Sequence, residues 1–224
     1  MSHARQPLTP ESPELVADRA RALALTPVSR ETVARLDRFI ERLLERGART
    51  NLVARSTMPT LWTRHVADSL QLLSLAPNAH TWVDLGSGAG FPGLVVACAL
   101  GDDPRSTVHL VESTQKKCAF LQEAIETTGV RALVHCQRIE EFTKSFRENV
   151  DVVTARALAP LEILLYHVHP LLRAGTIALL PKGQDVEGEM AQASRSWRIE
   201  AELVPSRTNP QSRILVVRGL IRLR

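Results

Sequence analysis

The sequence predicts an α/β protein: a mixed seven-stranded sheet with helices on both faces, preceded by an N-terminal helical cap. Two observations predict it. From residue 81 onward, short apolar runs rich in β-branched residues alternate with stretches of helical period, the pattern of a parallel sheet layered between helices. Before residue 81 the apolar spacing is helical throughout.

Taken in order, residues 1–12 are rich in Pro, Ser and Thr and are expected to form a disordered tail. A first helix is expected over 13–25. The next, over 29–46, places Val33, Leu36, Ile40, Leu43 and Leu44 on one face, with Ser29 positioned as its N-cap and Gly47 after its last turn. A third, over 59–75, carries Leu61, Trp62, Val66, Leu70 and Leu73 as its apolar stripe. Residues 13–80 therefore form the cap, and 81–224 the sheet unit that packs with it as one body. Strands are expected over 81–85, 107–111, 132–136, 150–155 and 176–180, and helices over 92–100, 115–128 and 161–172. The last two runs, 197–204 and 213–219, are too close for a crossover helix between them, so they form a hairpin and an antiparallel edge.

Composition narrows the function. With 224 residues, 44% hydrophobic and 23% charged, the chain is too apolar for disorder and the right size for one domain. Its longest apolar run, 94–100, is far too short to span a bilayer, and the first residues lack a secretory apolar core. A cytoplasmic address without membrane association is the expectation. Cys98, Cys118 and Cys136 have no C-x-x-C spacing, which argues against a metal site or a disulfide framework, and each is expected to be a small buried apolar residue. Net charge is +3 over residues 1–80, −4 over 81–194 and +5 over 195–224. Most of the basic residues are arginine, which pairs with phosphate through two parallel N–H groups, so the basic ends fit either a polyanionic partner or an ordinary solvated surface.

The run Asp84-Leu85-Gly86-Ser87-Gly88-Ala89-Gly90-Phe91-Pro92-Gly93 is a strand entering a glycine loop and then a helix. Glycine lets the backbone take positive φ and approach a ligand closely. Glu112 follows the next strand, 24 residues beyond Gly88, where an acidic side chain accepts hydrogen bonds from ribose hydroxyls. It equally suits a helix-capping carboxylate. A dinucleotide loop has G-x-G-x-x-G, and counted from Gly86 its third glycine is replaced by Phe91, which weakens a nicotinamide reading. S-adenosyl-L-methionine, a nucleoside without phosphates, suits D-x-G-x-G-x-G better. Ile139 and Glu140 follow the third strand, where a carboxylate and backbone N–H groups bracket an adenine. Arg156 follows the fourth strand over the pocket mouth, or else forms a surface ion pair.

These blocks, together with Asn51-Leu52-Val53, Arg64-His65-Val66-Ala67-Asp68-Ser69, Ile139-Glu140-Glu141-Phe142, Ala155-Arg156-Ala157 and Pro181-Lys182-Gly183-Gln184, resemble the RsmG (GidB) family. The resemblance covers residues 30–219. It implies the Rossmann-like fold of class I S-adenosylmethionine-dependent methyltransferases, and an enzyme that methylates N7 of a guanine in 16S ribosomal RNA of the small ribosomal subunit. It further implies that Gly86, Gly88, Gly90 and Phe91 line the cofactor, Glu112 holds its ribose, Ile139 and Glu140 hold its adenine, and Arg156 reaches the cofactor or the target base. The run containing His65 and Asp68 closes the pocket or positions RNA in this reading, and without the resemblance it reads as a packed polar cluster. Lys182 is a phosphate contact or a solvated loop lysine.

The chemistry suits these residues. Guanine N7 has a free lone pair and loses no proton on methylation, so Arg156 acts by positioning and no general base is expected. No N-P-P-Y-like tetrapeptide follows the fourth strand and no Pro-Cys pair is present, which argues against exocyclic-amine and cytosine C5 chemistry. Arg49, Arg55, Arg64, Arg195, Arg198 and Arg207 are candidate RNA-backbone contacts. A single copy is the expected functional unit. The alternatives are a non-catalytic RNA-binding or ribosome-assembly protein on the same fold, and an NAD-dependent oxidoreductase.

Overall fold

In the computed structural model, which describes residues 8–47, 52–101 and 103–223, β1 (Thr81–Leu85) lies inside the sheet between parallel β2 (Thr107–Glu112) and β4 (Val152–Ala155). Parallel β3 (Ala132–Cys136) and β5 (Ile177–Lys182) extend it on either side. β7 (Arg213–Arg222) joins β5 antiparallel and pairs with β6 (Trp197–Pro205), giving the order β3-β2-β1-β4-β5-β7-β6. The strand order reverses between β1 and β4, so the crevice beyond their carboxyl ends is where such a sheet receives a ligand.

Alternate side chains of the central strands feed two cores, which is why these strands read as continuous apolar runs. Trp82, Val108 and Leu110 belong to one core, in which α4 (Gly93–Leu100) and α5 (Gln115–Thr128) pack on the sheet and α1 (Pro13–Leu25) and α2 (Arg30–Gly47) complete it from outside. Val83, Leu85 and Val153 face α6 (Ile139–Ser145), α7 (Leu161–Val168) and α8 (Val186–Ala193). Fully burying each large side chain contributes about 1.5–3 kcal/mol.

The cap departs from expectation in an informative way. Ser29 caps α2 by accepting the Thr32 N–H at 3.1 Å, but the expected third helix is broken into four pieces. A 3₁₀ turn at Arg55–Thr60 leads into a π-helical stretch at Trp62–Ala67, then α3 (Asp68–Leu70), then a second 3₁₀ turn at Gln71–Leu75. Pro59 supplies no N–H, and the buried Asp18 carboxylate takes over the start of the π stretch, accepting Trp62 N at 2.8 Å and Thr63 N at 3.1 Å. The wider π turn shifts the helical phase, so Leu72 is fully buried and Leu73 only partly. Such π turns recur at functional sites because they re-aim side chains. Here the run containing His65 and Asp68 is carried to the sheet's carboxyl end, beside Arg156.

Other differences are local. Residues 8–12, expected in the disordered tail, form a turn closed by Ser12 N to Thr9 O at 3.0 Å, and residues 1–7 lie outside the described residues. α6 and α8 were not anticipated, being seven and eight residues long with little periodicity to read. α7 ends at Val168 in a 3₁₀ turn containing Pro170, which cannot continue an α-helix. Cys98 and Cys118 are buried as expected, whereas Cys136, at the end of edge strand β3, is exposed.

Gly93 packs against the sheet, where a Cβ would lie 2.4 Å from Leu110 Cδ2 and 2.7 Å from Asp84 Cβ. Gly93→Ala is therefore expected to destabilise the fold by roughly 1–3 kcal/mol. A thermal melt should show a midpoint lower by roughly 2–10 °C, and an unchanged midpoint would contradict this packing.

Candidate active site

The glycine loop leaves β1 and turns back under β2. Gly86 N and Ser87 N donate to Val111 O at 2.9 and 3.0 Å, and Gly86, Gly88 and Gly90 take φ of 73°, 56° and 94°. Beneath the loop, buried Asp84 ties three elements together. Its Oδ2 accepts Gly93 N at 3.0 Å, its Oδ1 accepts Thr154 Oγ1 at 2.8 Å, and its backbone oxygen accepts Ser87 Oγ at 3.0 Å. Burial pushes the Asp84 carboxyl above its ordinary pKa, and the hydrogen bonds from Thr154 and Gly93 oppose that. The motif contains Asp84, but its bracing role needed the β1–β4 pairing to be seen.

Glu112 takes the capping role that its position suggested and adds a second one, holding the glycine loop. Its Oε2 accepts Gly88 N at 3.1 Å, which fixes the loop, and its Oε1 accepts Thr114 N at 2.8 Å, which closes the turn into α5. A cleft of about 630 Å³ opens above these residues, within the range of small-molecule sites. Gly86, Gly88, Phe91, Glu112, Ile139, Glu140 and Arg156 line it, and Arg64, His65 and Leu52 enter from the cap. Gly90 does not line it. A Cβ at Gly90 would meet Leu94 Cβ at 3.0 Å and Phe39 Cζ at 3.1 Å, so this glycine serves close packing under the loop.

At the other wall, Arg156 is held by the cap. Its Nη2 lies 2.5 Å from His65 Nδ1, and its Nη1 donates to Arg64 O at 3.1 Å and Asp68 Oδ2 at 3.4 Å. Its Cζ stands 5.6 Å from the centre of the Phe91 ring. With a side chain only 15% exposed, this is a largely buried cation rather than a surface ion pair. Burial lowers its pKa, and the Asp68 carboxylate pulls it back up. Ala157 next to it has φ 52°, a left-handed conformation that costs a non-glycine residue about 1–3 kcal/mol. Leu158 follows, against Gly86, where a Cβ would lie 2.7 Å from its Cδ1.

A guanidinium only donates, so His65 Nδ1 accepts and the ring proton sits on Nε2, 3.2 Å from Thr57 Oγ1. Burial, then the charges of Arg156 and Arg64, bring the His65 pKa down to about 3. The unfolded imidazole titrates near 6.5, so below that pH the unfolded chain binds the extra proton and stability falls as pH falls. The slope for this one group is about 1.4 kcal/mol per pH unit. Buried His109 and half-buried His135 are also lowered by burial and act with the same sign, while Asp84 acts oppositely. The comparison that isolates His65 is denaturant unfolding at pH 7.5 and 5.5 of the parent and of His65→Gln. The parent should lose more stability on acidification, and an equal loss would contradict a neutral, accepting His65.

Asp68 also joins the site to the sheet's antiparallel edge. Its Oδ1 accepts Gln71 Nε2 and Thr208 Oγ1, both at 2.8 Å, and Gln71 Oε1 accepts Arg207 N at 2.8 Å. The β6–β7 connection is thus drawn onto the cap and encloses a second cleft of about 520 Å³. The two clefts share Arg64, His65, Arg156 and Ala157 as a common wall. Lys182 lines the second cleft but is not a solvated loop lysine: its Nζ is 2.6 Å from Glu189 Oε2, which also accepts Leu161 N at 2.7 Å.

The candidate RNA-contacting arginines separate by place. Exposed Arg64 and Arg207, with Arg213, stand at the cleft end of the molecule. Arg198 pairs with Ile221 near the far end of the hairpin, and Arg195 just precedes β6, so neither is near the clefts. The register that puts Arg213 opposite Lys182 decides this, and strand spacing alone did not reveal it. Arg49, Asn51 and the side chain of Arg55 lie outside the described residues.

A seven-stranded sheet of this order, with a glycine loop and an acidic residue at the ends of its first two strands, is the architecture of the class I methyltransferases. It is similar to an O-methyltransferase from Bacillus cereus in complex with SAH, with a TM-score of 0.59 and 15% identity over 90% of this chain and 96% of that one. It is also similar to a mutant of MtNAS in complex with S-adenosylmethionine, with a TM-score of 0.54 and 17% identity over 91% of this chain and 80% of that one. Residues 32–215 match the family described as rRNA small subunit methyltransferase G. The chain is 56% identical to ribosomal RNA small subunit methyltransferase G of Bradyrhizobium sp. (strain BTAi1 / ATCC BAA-1182) over 203 residues, covering 91% of each. It is 52% identical to the protein of that name from Nitrobacter hamburgensis over 210 residues, covering 94% of this chain and 81% of the other. The chain belongs to the rRNA small subunit methyltransferase G family.

Proposed function

We propose that this protein is an S-adenosyl-L-methionine-dependent methyltransferase that modifies N7 of a guanine in 16S ribosomal RNA, with the cofactor in the first cleft and the guanine in the second. The observation that carries the reading is the common wall. The acceptor atoms around Arg156 are already engaged: His65 Nδ1 by the guanidinium, Asp68 by Thr208, Gln71 and Arg156. Such a wall orients and shields a nucleophile but removes no proton from it, which suits a ring nitrogen with a free lone pair over an exocyclic amine.

When bound, the cofactor supplies an electrophilic sulfonium methyl group. Gly86 and Gly88 offer close backbone approach, Glu112 the acceptor for ribose hydroxyls, and Ile139 and Glu140 the adenine contacts. Phe91 and Arg156 set the floor and wall at the methyl-transfer end, and Asp68 balances the arginine's charge beside a base that becomes cationic. In this reading the cap, residues 13–80, contributes Arg64, His65 and Asp68, and the sheet unit, 81–224, contributes the cofactor floor. One copy then carries a complete site. Arg64, Arg207 and Arg213 face the RNA backbone, giving salt-sensitive binding. The substrate places the protein in the cytoplasm with the small ribosomal subunit, and among the described residues no helix is long and apolar enough to cross a membrane.

Mass mapping of 16S ribosomal RNA from cells with and without the gene tests this. One guanine-containing fragment should be lighter by a methyl group without the gene, and identical maps would overturn the proposal.

A further inference from the structure

Two cysteines lie behind the first cleft, on the segments that bring Thr114, Lys117, Arg138 and Ile139 to its wall. Cys118 is in the first turn of α5, and its Sγ donates to Glu112 O at 3.2 Å. Cys136 ends β3 and is the Cα partner of that same Glu112 in the β2–β3 ladder. Side chains alternate across a strand, so Cys136 shares the face of Ala132 and Val134, which pack in the core that includes Phe120 and Leu121 of α5. Both thiols therefore converge on Glu112 from the same side, one buried and one exposed.

From this convergence we infer that Cys118 and Cys136 form a reversible redox pair whose disulfide closes down cofactor binding. It rests on the reading of the first cleft as the cofactor site. The two residues belong to the two segments that wall the nucleoside end: Cys118 follows Glu112-Ser113-Thr114, and Cys136 precedes Arg138, Ile139 and Glu140. A disulfide requires an S–S bond of about 2.05 Å and Cα atoms about 4.4–6.8 Å apart. Forming it removes the Cys118 hydrogen bond to Glu112 and pulls α5 against the end of β3. The Glu112 carboxylate is anchored on Thr114 N in that same turn, so the acid moves with it.

The oxidant is a hydroperoxide. The exposed Cys136 thiolate attacks its O–O bond, forming a sulfenic acid and releasing an alcohol, or water when the oxidant is hydrogen peroxide. Cys118 sulfur then attacks the sulfenic sulfur, the S–O bond breaks, and the departing hydroxide takes the Cys118 proton as water. The pair loses two electrons and the peroxide gains them. The Cys118 thiol is pushed up to about 12, by burial first and then by the neighbouring Cys136, so the attacking role falls to the exposed residue.

The test treats the full chain with hydrogen peroxide, maps peptides by mass spectrometry, and titrates S-adenosyl-L-methionine calorimetrically before oxidation, after it, and after dithiothreitol. The expected result is a Cys118–Cys136 cross-linked peptide lacking two hydrogens, with affinity weakened at least about tenfold and restored by reduction. Cys136→Ala should bind as the reduced parent does and be unmoved by peroxide. Absence of the cross-link, a cross-link without loss of affinity, or equal loss in Cys136→Ala would overturn the inference. Failure of the reduced parent to bind the cofactor would instead overturn the assignment of the cleft.

Discussion

Glu112→Gln should fold normally and bind S-adenosyl-L-methionine about ten- to a hundred-fold more weakly, the fold-change for losing a charge-assisted hydrogen bond of roughly 1.5–3 kcal/mol. The geometry explains why so small a change should matter. Both carboxylate oxygens accept backbone N–H groups, from Gly88 and from Thr114, so an amide must turn its NH₂ toward one of them. Donor then faces donor, and the glycine loop or the turn into α5 gives way. The ribose meanwhile loses an anionic acceptor. Glu112→Asp should also fail, because the shorter side chain cannot span both N–H groups. Calorimetric titration with the cofactor reads the effect directly. An unchanged dissociation constant in Glu112→Gln would mean that neither the carboxylate's charge nor its hold on Gly88 and Thr114 contributes to cofactor binding.

Arg156→Ala should reduce methyl transfer (kcat/KM) by about 10²–10³, the range expected when a group that positions the reacting partners or donates at the transfer site is lost. Without the guanidinium, Asp68 is left beside the common wall with its charge uncompensated, and His65 loses the donor that fixes its tautomer. Arg156→Lys keeps the charge but cannot reach His65, Asp68 and the Arg64 carbonyl together, so it should recover only part of the rate. Because Arg156 and Asp68 act as a unit, adding Asp68→Asn to Arg156→Ala should cost less than the separate losses combined. Single-turnover transfer at saturating cofactor measures these effects, and a rate within twofold of the parent in Arg156→Ala would remove Arg156 from the transfer step.

Much of this could be read from the chain because strongly patterned segments leave little choice. The run Gln115–Thr128 is a helix at the expected bounds, and Ala132–Cys136 a strand. The five parallel strands and the terminal hairpin follow from spacing alone. What stayed hidden depends on contacts between distant residues. The breaks in the cap's third helix come from Asp18, 44 positions before Trp62, through a hydrogen bond that no local pattern signals. The Lys182 pairing requires α8, which is too short to announce itself. The remoteness of Arg195 and Arg198 from the clefts is a matter of hairpin direction, which net charge does not carry. Gly90 looked like its two neighbours in the motif, and the packing of Leu94 and Phe39 against it separates it from them. The site was most legible where the glycine loop and Glu112 meet, because both lie at ends of adjacent strands.

The most direct test of the central claim is incubation of the purified protein with small ribosomal subunits lacking the modification and with methyl-labelled S-adenosyl-L-methionine, followed by nucleoside analysis of the 16S ribosomal RNA. Label should appear as 7-methylguanosine at a single position, at an initial rate lowered by about 10²–10³ in Arg156→Ala. Label on an exocyclic amine or on ribose, or none in the presence of bound cofactor, would contradict it.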